Sequence, residues 1–406
     1  MKLIVVGNGI AGVSTARYVA ERNADVEITL YSKEPHLYYP RPRLIDFLAG
    51  KLQLQDLPQY DRSWYERRGI RLVLGCQVKA LDTQAHELEL GTGERVKFDR
   101  CVLATGATSW VPPIPGTDLP GVYTLRTLDN AQTLREHALA ARHIVVIGGG
   151  LLGLDAAGAL AELGIDITVV EAQPWLLPRQ IDEQGATLLQ NLLEKKGIRF
   201  IVGDICARIE GEGNAVQRIR LRSGRILEAD LVLIAVGVRS KIELAKQAGL
   251  DCQRGIVVDE YLRSSHPHVY AVGDAIEFNG RVWAIIPAAL AQARVAAAHI
   301  VGEEGTRYHD FAPSTTLKVT GIDLVSLGEA TSDDERYTIL REVALADGIY
   351  KKLVLEDGHI VGAILIGDRS DAGPIQRLMR QGTDISPYLS RVFEPGTLRD
   401  LSKMEA

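Results

Sequence analysis

Leu3-Ile4-Val5-Val6 and Ile144-Val145-Val146-Ile147 are unbroken apolar runs, and each ends in a cluster of glycines. The first continues Gly7-Asn8-Gly9-Ile10-Ala11-Gly12 and the second Gly148-Gly149-Gly150-Leu151-Leu152-Gly153, 141 residues later (Gly7 to Gly148). A short apolar run that ends in glycines reads as a strand entering a tight turn. The alanine-rich stretches that follow each motif have helical character, so both sites read strand, tight turn, helix. In G-x-G-x-x-G the first glycine permits the turn and the second lets the backbone approach a pyrophosphate. The third lets helix and strand pack closely, and the phosphates then face free amides at a helix N-terminus. One such motif is weak evidence. Two in the same local setting point to two dinucleotides on one chain.

The repetition extends further. Phe98-Asp99-Arg100-Cys101-Val102-Leu103-Ala104-Thr105-Gly106 would close the first unit, and Ala229-Asp230-Leu231-Val232-Leu233-Ile234-Ala235-Val236-Gly237 the second. Before each lies a candidate meander, turning at Gly91-Thr92-Gly93-Glu94 and at Arg222-Ser223-Gly224-Arg225. The expected fold class is α/β, with two Rossmann-like domains and a C-terminal α+β domain. Residues 1–116 and 239–310 would form the first domain, and 117–238 the second. The first is discontinuous because Val269-Tyr270-Ala271-Val272-Gly273-Asp274 and a helix from Pro287 to about Val301 are expected to return to it. Residues 311–406 would form an interface domain, with strands at Thr316–Thr320, Leu324–Leu327, Ile349–Leu355 and Ile360–Ile366 and a helix near Ile375–Arg380.

At 406 residues, two or three such domains fit. The net charge of −6 argues against a nucleic-acid protein. No apolar stretch is long enough to span a membrane. The sequence enters the first strand almost at once, so a cleavable leader would destroy the motif, and a cytoplasmic location is expected. Cys76, Cys101, Cys206 and Cys252 are scattered without a C-x-x-C and read mainly as free thiols. The histidines lack metal-ligand spacing; His266 and His268 are the nearest pair, and no metal site is expected.

The paired glycine motifs, Ala104-Thr105-Gly106-Ala107 and Ala271-Val272-Gly273-Asp274-Ala275 resemble the FAD-dependent pyridine-nucleotide oxidoreductases of the glutathione-reductase fold. Four stretches are similar to NADH:rubredoxin and ferredoxin reductases and to the flavoprotein part of NADH-nitrite reductase. They are Tyr39-Pro40-Arg41-Pro42-Arg43-Leu44, Thr124-Leu125-Arg126-Thr127-Leu128, Ile285-Ile286-Pro287-Ala288-Ala289-Leu290 and Gly367-Asp368. The resemblance implies FAD on the first motif and NADH, as substrate, on the second. Disulfide-reducing relatives carry cysteines just after the second strand, whereas residues 36 to 75 here contain none. A thiolate relay is therefore not expected.

By the resemblance, Gly7, Gly9, Ala11 and Gly12 hold the FAD pyrophosphate, while Val78, Arg126, Asp274 and Ile286 line the rest of that site. An acid usually ends the second strand to bind the adenosine ribose. Aligning the halves puts Ser32 there, and Glu34 either substitutes for it or is a solvated loop carboxylate. Arg41 falls where relatives place a cation near the flavin; with Arg43 it could instead form a docking rim. Asp46 stands where the ferredoxin-reductase branch often has lysine. In the second unit Gly148, Gly150, Gly153 and Gly237 would surround NADH. Glu171, eighteen residues after Gly153, would bond its 2′-hydroxyl and repel the 2′-phosphate of NADPH. Asp155 stands where relatives often have glutamate near the nicotinamide, to orient the carboxamide or simply as a helix residue.

The expected activity is hydride transfer from NADH to FAD, then electron delivery to a rubredoxin- or ferredoxin-type carrier, by a monomer or homodimer. Residues 33–71 hold eight basic and five acidic side chains, a mild excess that either steers an acidic carrier or is ordinary surface. The alternatives are a flavoprotein component of a nitrite reductase system and an NADH-responsive interaction protein related to apoptosis-inducing factor.

Overall fold

A computed structural model describes residues 1–212, 215–303, 305–309 and 314–404. The chain divides into two compact units, Met1–Trp110 with Val238–Asp310, and Val111–Gly237 with Phe311–Ala406.

In the first unit, five parallel strands run in the order Val269–Ala271, Arg100–Leu103, Lys2–Val6, Glu27–Tyr31, Ile70–Val73. Leu3, Ile4, Val5 and Val6 are all buried, which explains the absence of polar alternation in that strand. The first Rossmann helix, Ile10–Arg22, buries Ala11, Gly12, Val13 and Ala16. It packs on the helix Ile286–Ile300, which buries Ala288, Ala289, Ala293, Ala296 and Ala297. Small side chains on both faces let the two helices lie close. Pro287 occupies the first turn of the second, where its missing N–H costs nothing. A three-stranded meander, Val78–Asp82, Glu87–Leu90 and Arg95–Lys97, completes the unit's sheets of three or more strands.

The second unit repeats the plan. Its parallel strands are Ile198–Val202, Asp166–Glu171, His143–Ile147, Leu231–Ile234 and Val122–Thr124, in that order. The second Rossmann helix is Leu151–Ala161, and the matching meander is Cys206–Glu212, Ala215–Leu221 and Ile226–Glu228. A five-stranded antiparallel sheet follows, in the order Ser314–Val319, Ile322–Gly328, His359–Ile366, Ile349–Glu356, Thr338–Ala344. The helix Ala372–Gln381 covers it through Ile375 and Leu378, which pack with Leu353, Leu355 and Leu365.

Two details depart from the sequence reading. Thr338–Ala344 is a strand the hydrophobic pattern did not announce, because Ile339-Leu340 and Arg341-Glu342 break strict alternation on a half-exposed edge. The strand expected at Thr316–Thr320 ends at Val319, and Thr320 is a turn residue with φ 49°.

Lys352 is fully buried in Ile349–Glu356, and its Nζ lies 3.2 Å from Asp182 and 3.0 Å from Asp333. Asp182 also caps the helix Glu183–Glu194 through Gly185 N–H at 3.1 Å and accepts the Tyr350 hydroxyl at 2.7 Å. The C-terminal sheet is thus tied to the nucleotide-binding part of this unit by a charge pair whose remaining valences are hydrogen-bonded.

Among the described residues, no helix is long and apolar enough to cross a membrane, and no group of three or more His, Cys, Asp or Glu could hold a metal ion. Cys101 and Cys206 are buried free thiols, while Cys76 and Cys252 are half-buried ones. Burial pushes the Cys206 thiol up to about 11 and Cys101 further, away from thiolate chemistry.

Candidate functional site

The two glycine loops share one geometry. Gly7 and Gly148 have φ of 119° and 113°, a region L side chains avoid. A Cβ on Gly7 would overlap the Ala104 carbonyl, and on Gly148 it would come within 2.6 Å of the Ala235 carbonyl. A Cβ on Gly12 or Gly153 would overlap the carbonyl oxygen of Gly7 or Gly148, respectively. Gly9 and Gly150 differ: a Cβ there would meet no atom within 4 Å. First and third glycines therefore serve packing, and the middle one leaves space over the backbone.

Gly9 and Gly150 are also the N-caps of the two Rossmann helices, with extended backbone and no side-chain cap bond in either case. Each helix has one end whose amides no cap side chain satisfies, beneath open space. That is the chemistry a pyrophosphate requires.

Hydrogen bonds confirm the duplication. Gly7 N–H donates to the Tyr31 carbonyl and Gly148 N–H to that of Val170, both at 2.8 Å. Cys76 N–H donates to Ser32 O as Asp204 N–H does to Glu171 O, and Gly75 N–H to Glu34 O as Gly203 N–H does to Gln173 O. Ser32 therefore stands opposite Glu171, and Glu34 opposite Gln173.

The two acids are held differently. Glu171 accepts Gly149 N–H at 2.6 Å on one oxygen and Gln173 N–H at 2.8 Å on the other, which fixes the carboxylate beside the glycine loop. Ser32 is buried and bonds its own turn, donating to Glu34 O at 3.0 Å. The Glu34 carboxylate is held by the Tyr39 hydroxyl and by Arg41 Nη2 at 3.0 Å. Arg41 thus sits with the acid that follows the second strand.

Asp274 lies in the 3-10 turn Gly273–Ala275, and its carbonyl accepts the Ser240 hydroxyl at 2.6 Å. A Cβ on Gly273 would come within 2.7 Å of the Ala11 Cβ, so this turn lies against the start of the first Rossmann helix. Gly273 N–H donates to the buried Gln292 side chain at 2.7 Å, which locks the turn to the helix Ile286–Ile300. The glycine loop, Ala11 and Asp274 are thereby gathered at one place. Ile286, 42% exposed, opens the helix that Gln292 belongs to. Val78 is buried at the start of the meander.

Gly237 follows the closing strand of the second unit with φ 113°, and a Cβ there would meet no atom within 4 Å. Arg126 also belongs to the second unit, immediately before the Thr127 cap of the helix Leu128–Ala138. Asp155 lies in the second Rossmann helix and accepts Thr320 N–H at 3.4 Å.

Sequence reasoning did not find Asn8 and Tyr65. The Tyr65 hydroxyl donates to Asn8 Oδ1 at 3.1 Å, bracing the first glycine loop, and burial pushes this phenol up to about 12. Tyr65 in turn packs edge-on to Trp64, which stacks on Tyr60. Nothing local in the sequence marks a contact across 57 residues.

Two cradles of this form, one per parallel sheet, define a tandem dinucleotide-binding oxidoreductase. The chain belongs to the pyridine nucleotide-disulphide oxidoreductase family, whose model matches residues 1–298. Residues 313–383 match the rubredoxin NAD+ reductase C-terminal domain. The family uses FAD and NAD(P)H, and the residues described fit both.

The chain is 36% identical to the assimilatory nitrate reductase electron transfer subunit of Bacillus subtilis (strain 168), over 98% of this chain and 51% of that protein. It is 30% identical to the ferredoxin reductase component of the chlorobenzene dioxygenase of Cupriavidus sp. (strain PS12), over 99% and 97% of the two chains. The solved covalent putidaredoxin reductase–putidaredoxin complex matches with a TM-score of 0.88 and 26% identity, covering 100% of this chain and 99% of that one. The chain spans about half the length of the nitrate and nitrite reductase relatives it matches.

Proposed function

We propose that this chain is an NADH-dependent flavoprotein reductase that passes electrons to a small iron carrier protein of rubredoxin or ferredoxin type, without a redox cysteine. The observation that carries the reading is the pair of open positions over Gly9 and Gly150, each at an uncapped helix N-terminus. A bound flavin would supply the hydride-accepting and electron-releasing chemistry. The chain's own residues bind and orient. Gly7, Gly9, Ala11 and Gly12 would receive the FAD pyrophosphate, with Asp274 accepting hydroxyls at the same edge. Glu34, with Arg41 on it, would hold the adenosine side in place of an acid at Ser32. Val78 and Ile286 would complete that site. Gly148, Gly150 and Gly153 would receive the NADH pyrophosphate, with Gly237 at the strand end beside them.

The Glu171 carboxylate, fixed by two backbone amides, would accept the 2′-hydroxyl of NADH and repel a 2′-phosphate. The exposed Arg179 is eight residues further on and offers no adjacent counter-charge.

No cysteine lies between residues 36 and 75, and the buried thiols Cys101 and Cys206 are held neutral by burial. Among known relatives, the ferredoxin reductase component and the reductase–putidaredoxin complex support a small carrier as acceptor.

Anaerobic mixing with NADH, then with rubredoxin, ferredoxin and glutathione disulfide in turn, tests the reading. Fast bleaching of the flavin band and reoxidation by an iron carrier support it. Reoxidation by the disulfide alone overturns it. The 36% identity to the Bacillus subtilis electron transfer subunit favours a second reading, a flavoprotein component of a nitrate or nitrite reductase system. Copurification with a sirohaem protein and no turnover with rubredoxin would select that one.

A further inference from the structure

The turn between the strands Ser314–Val319 and Ile322–Gly328 reaches the second Rossmann helix, Leu151–Ala161. Thr320, left-handed at φ 49°, makes the contact. Its hydroxyl donates to the Leu154 carbonyl at 3.1 Å, and its N–H to Asp155 Oδ1 at 3.4 Å. Gly158 makes room for it: a Cβ there would come within 2.7 Å of the Thr320 Cβ and overlap the rest of its side chain. Leu154 and Asp155 directly follow Gly153, the third glycine of the nucleotide loop.

A left-handed β-branched residue is uncommon and costs free energy, so surrounding contacts must hold it. Here two hydrogen bonds and a glycine notch hold it, and all of them lie on the second Rossmann helix, whose first turn is a cradle. A helical carbonyl has a second lone pair beyond the one used along the helix, and the Thr320 hydroxyl occupies that of Leu154. The C-terminal sheet therefore fixes the cradle helix from its side, within about one turn of the position where phosphate would sit.

We propose that Thr320 is a positioning residue for the nicotinamide nucleotide: through Leu154 and Asp155 it sets the cradle helix in the place that binds NADH. This rests on the second glycine loop being the NADH site. Displacement of a positioned group by a fraction of an ångström is enough to weaken a site built on helix N-terminal amides. The arrangement also gives the C-terminal sheet a part in nucleotide binding although none of its residues belongs to the glycine loop.

The test uses the full FAD-loaded protein and the probe NAD+, titrated by flavin or tryptophan fluorescence, with NADH KM and kcat measured beside it. Thr320→Val keeps the side-chain shape and loses the hydroxyl. Its NAD+ Kd and NADH KM are expected to rise about fivefold, the loss of one hydrogen bond, with flavin content and kcat near wild type. Thr320→Ser restores the donor and is expected to recover most of the affinity. Thr320→Ala gives the same loss if valine is not accommodated, and Gly158→Ala, which pushes Thr320 off the helix, is expected to raise Kd at least as much. A lower melting temperature with NAD+ affinity within twofold of wild type would assign the turn a purely structural role and overturn the proposal. Wild-type protein that binds no NAD+ at all would instead refute the reading of the second loop.

Discussion

Gly150→Ala separates ligand binding from folding at one atom. Gly150 has φ −80° and ψ −179°, which alanine adopts without strain, and the added methyl would meet no protein atom within 4 Å. The fold should therefore be unaffected, with a melting temperature within a degree or two of wild type. The methyl does occupy the space through which a pyrophosphate reaches the uncapped helix end. Losing two charge-assisted bonds of about 1.5 kcal/mol each amounts to about 3 kcal/mol, or roughly 100-fold in NAD+ Kd. Gly153→Ala is the contrast, because its methyl would overlap the Gly148 carbonyl and should lower the melting temperature outright. The assay is paired: a thermal melt and an NAD+ titration on each variant, with flavin content measured by absorbance. A well-folded Gly150→Ala protein that binds NAD+ within twofold of wild type would refute the assignment of this loop.

Glu171→Ala should lower kcat/KM for NADH about tenfold and leave that for NADPH unchanged or higher, since a fixed carboxylate both attracts one ribose and repels the other; equal losses with both nucleotides would count against it. Lys352→Met should destabilise the second unit by about 2–3 kcal/mol in a denaturant titration, because Asp182 stays buried with its nearer cation removed and only Arg341, 3.7 Å away, left to it; a change below about 0.5 kcal/mol would show that the pair is not needed. Burial lowers the pKa values of His266 and His268; the charges of His268 and His86 lower that of His266 further, and those of Arg100 and His86 lower that of His268. Folded-state values below the unfolded value of about 6.5 mean that the unfolded chain binds more protons, so stability is complete above that pH and falls as pH drops beneath it. Thermal melts from pH 7.5 to 5 should show the decline, and His268→Gln should flatten it; a wild-type profile rising toward acid would contradict the sign.

What the sequence made legible was local. Leu3–Val6 and Ile144–Ile147 reveal buried strands because no polar residue interrupts them, and the first and third glycines after them are forced by backbone overlaps within a few residues or across adjacent strands. The family and both cofactors follow from the resemblance that those loops, with Ala104–Ala107 and Ala271–Ala275, carry. Thr338–Ala344 was hidden because an edge strand needs only half a hydrophobic face, and its Arg-Glu pair suits other structures equally well. Lys352 was hidden for a different reason. A lysine within an apolar strand looks like an outward position, and its partners Asp182 and Asp333, 170 and 19 residues earlier, make it an inward one. The resemblance puts Asp155 near the nicotinamide or leaves it an ordinary helix residue, while the hydrogen bond from Thr320 comes from a turn 165 residues away. Contacts of that separation leave no periodic trace in one chain.

The central claim is that electrons enter from NADH and leave for an iron carrier with no thiol in the route. The most direct measurement is anaerobic stopped-flow of the FAD-loaded protein with NADH and then oxidised rubredoxin or ferredoxin, before and after alkylation of the half-buried Cys76 and Cys252. Rapid loss of the flavin band, its return on carrier addition, and the same two rates in the alkylated protein are expected. A flavin that NADH does not bleach, or carrier reduction abolished by alkylation, would contradict the claim.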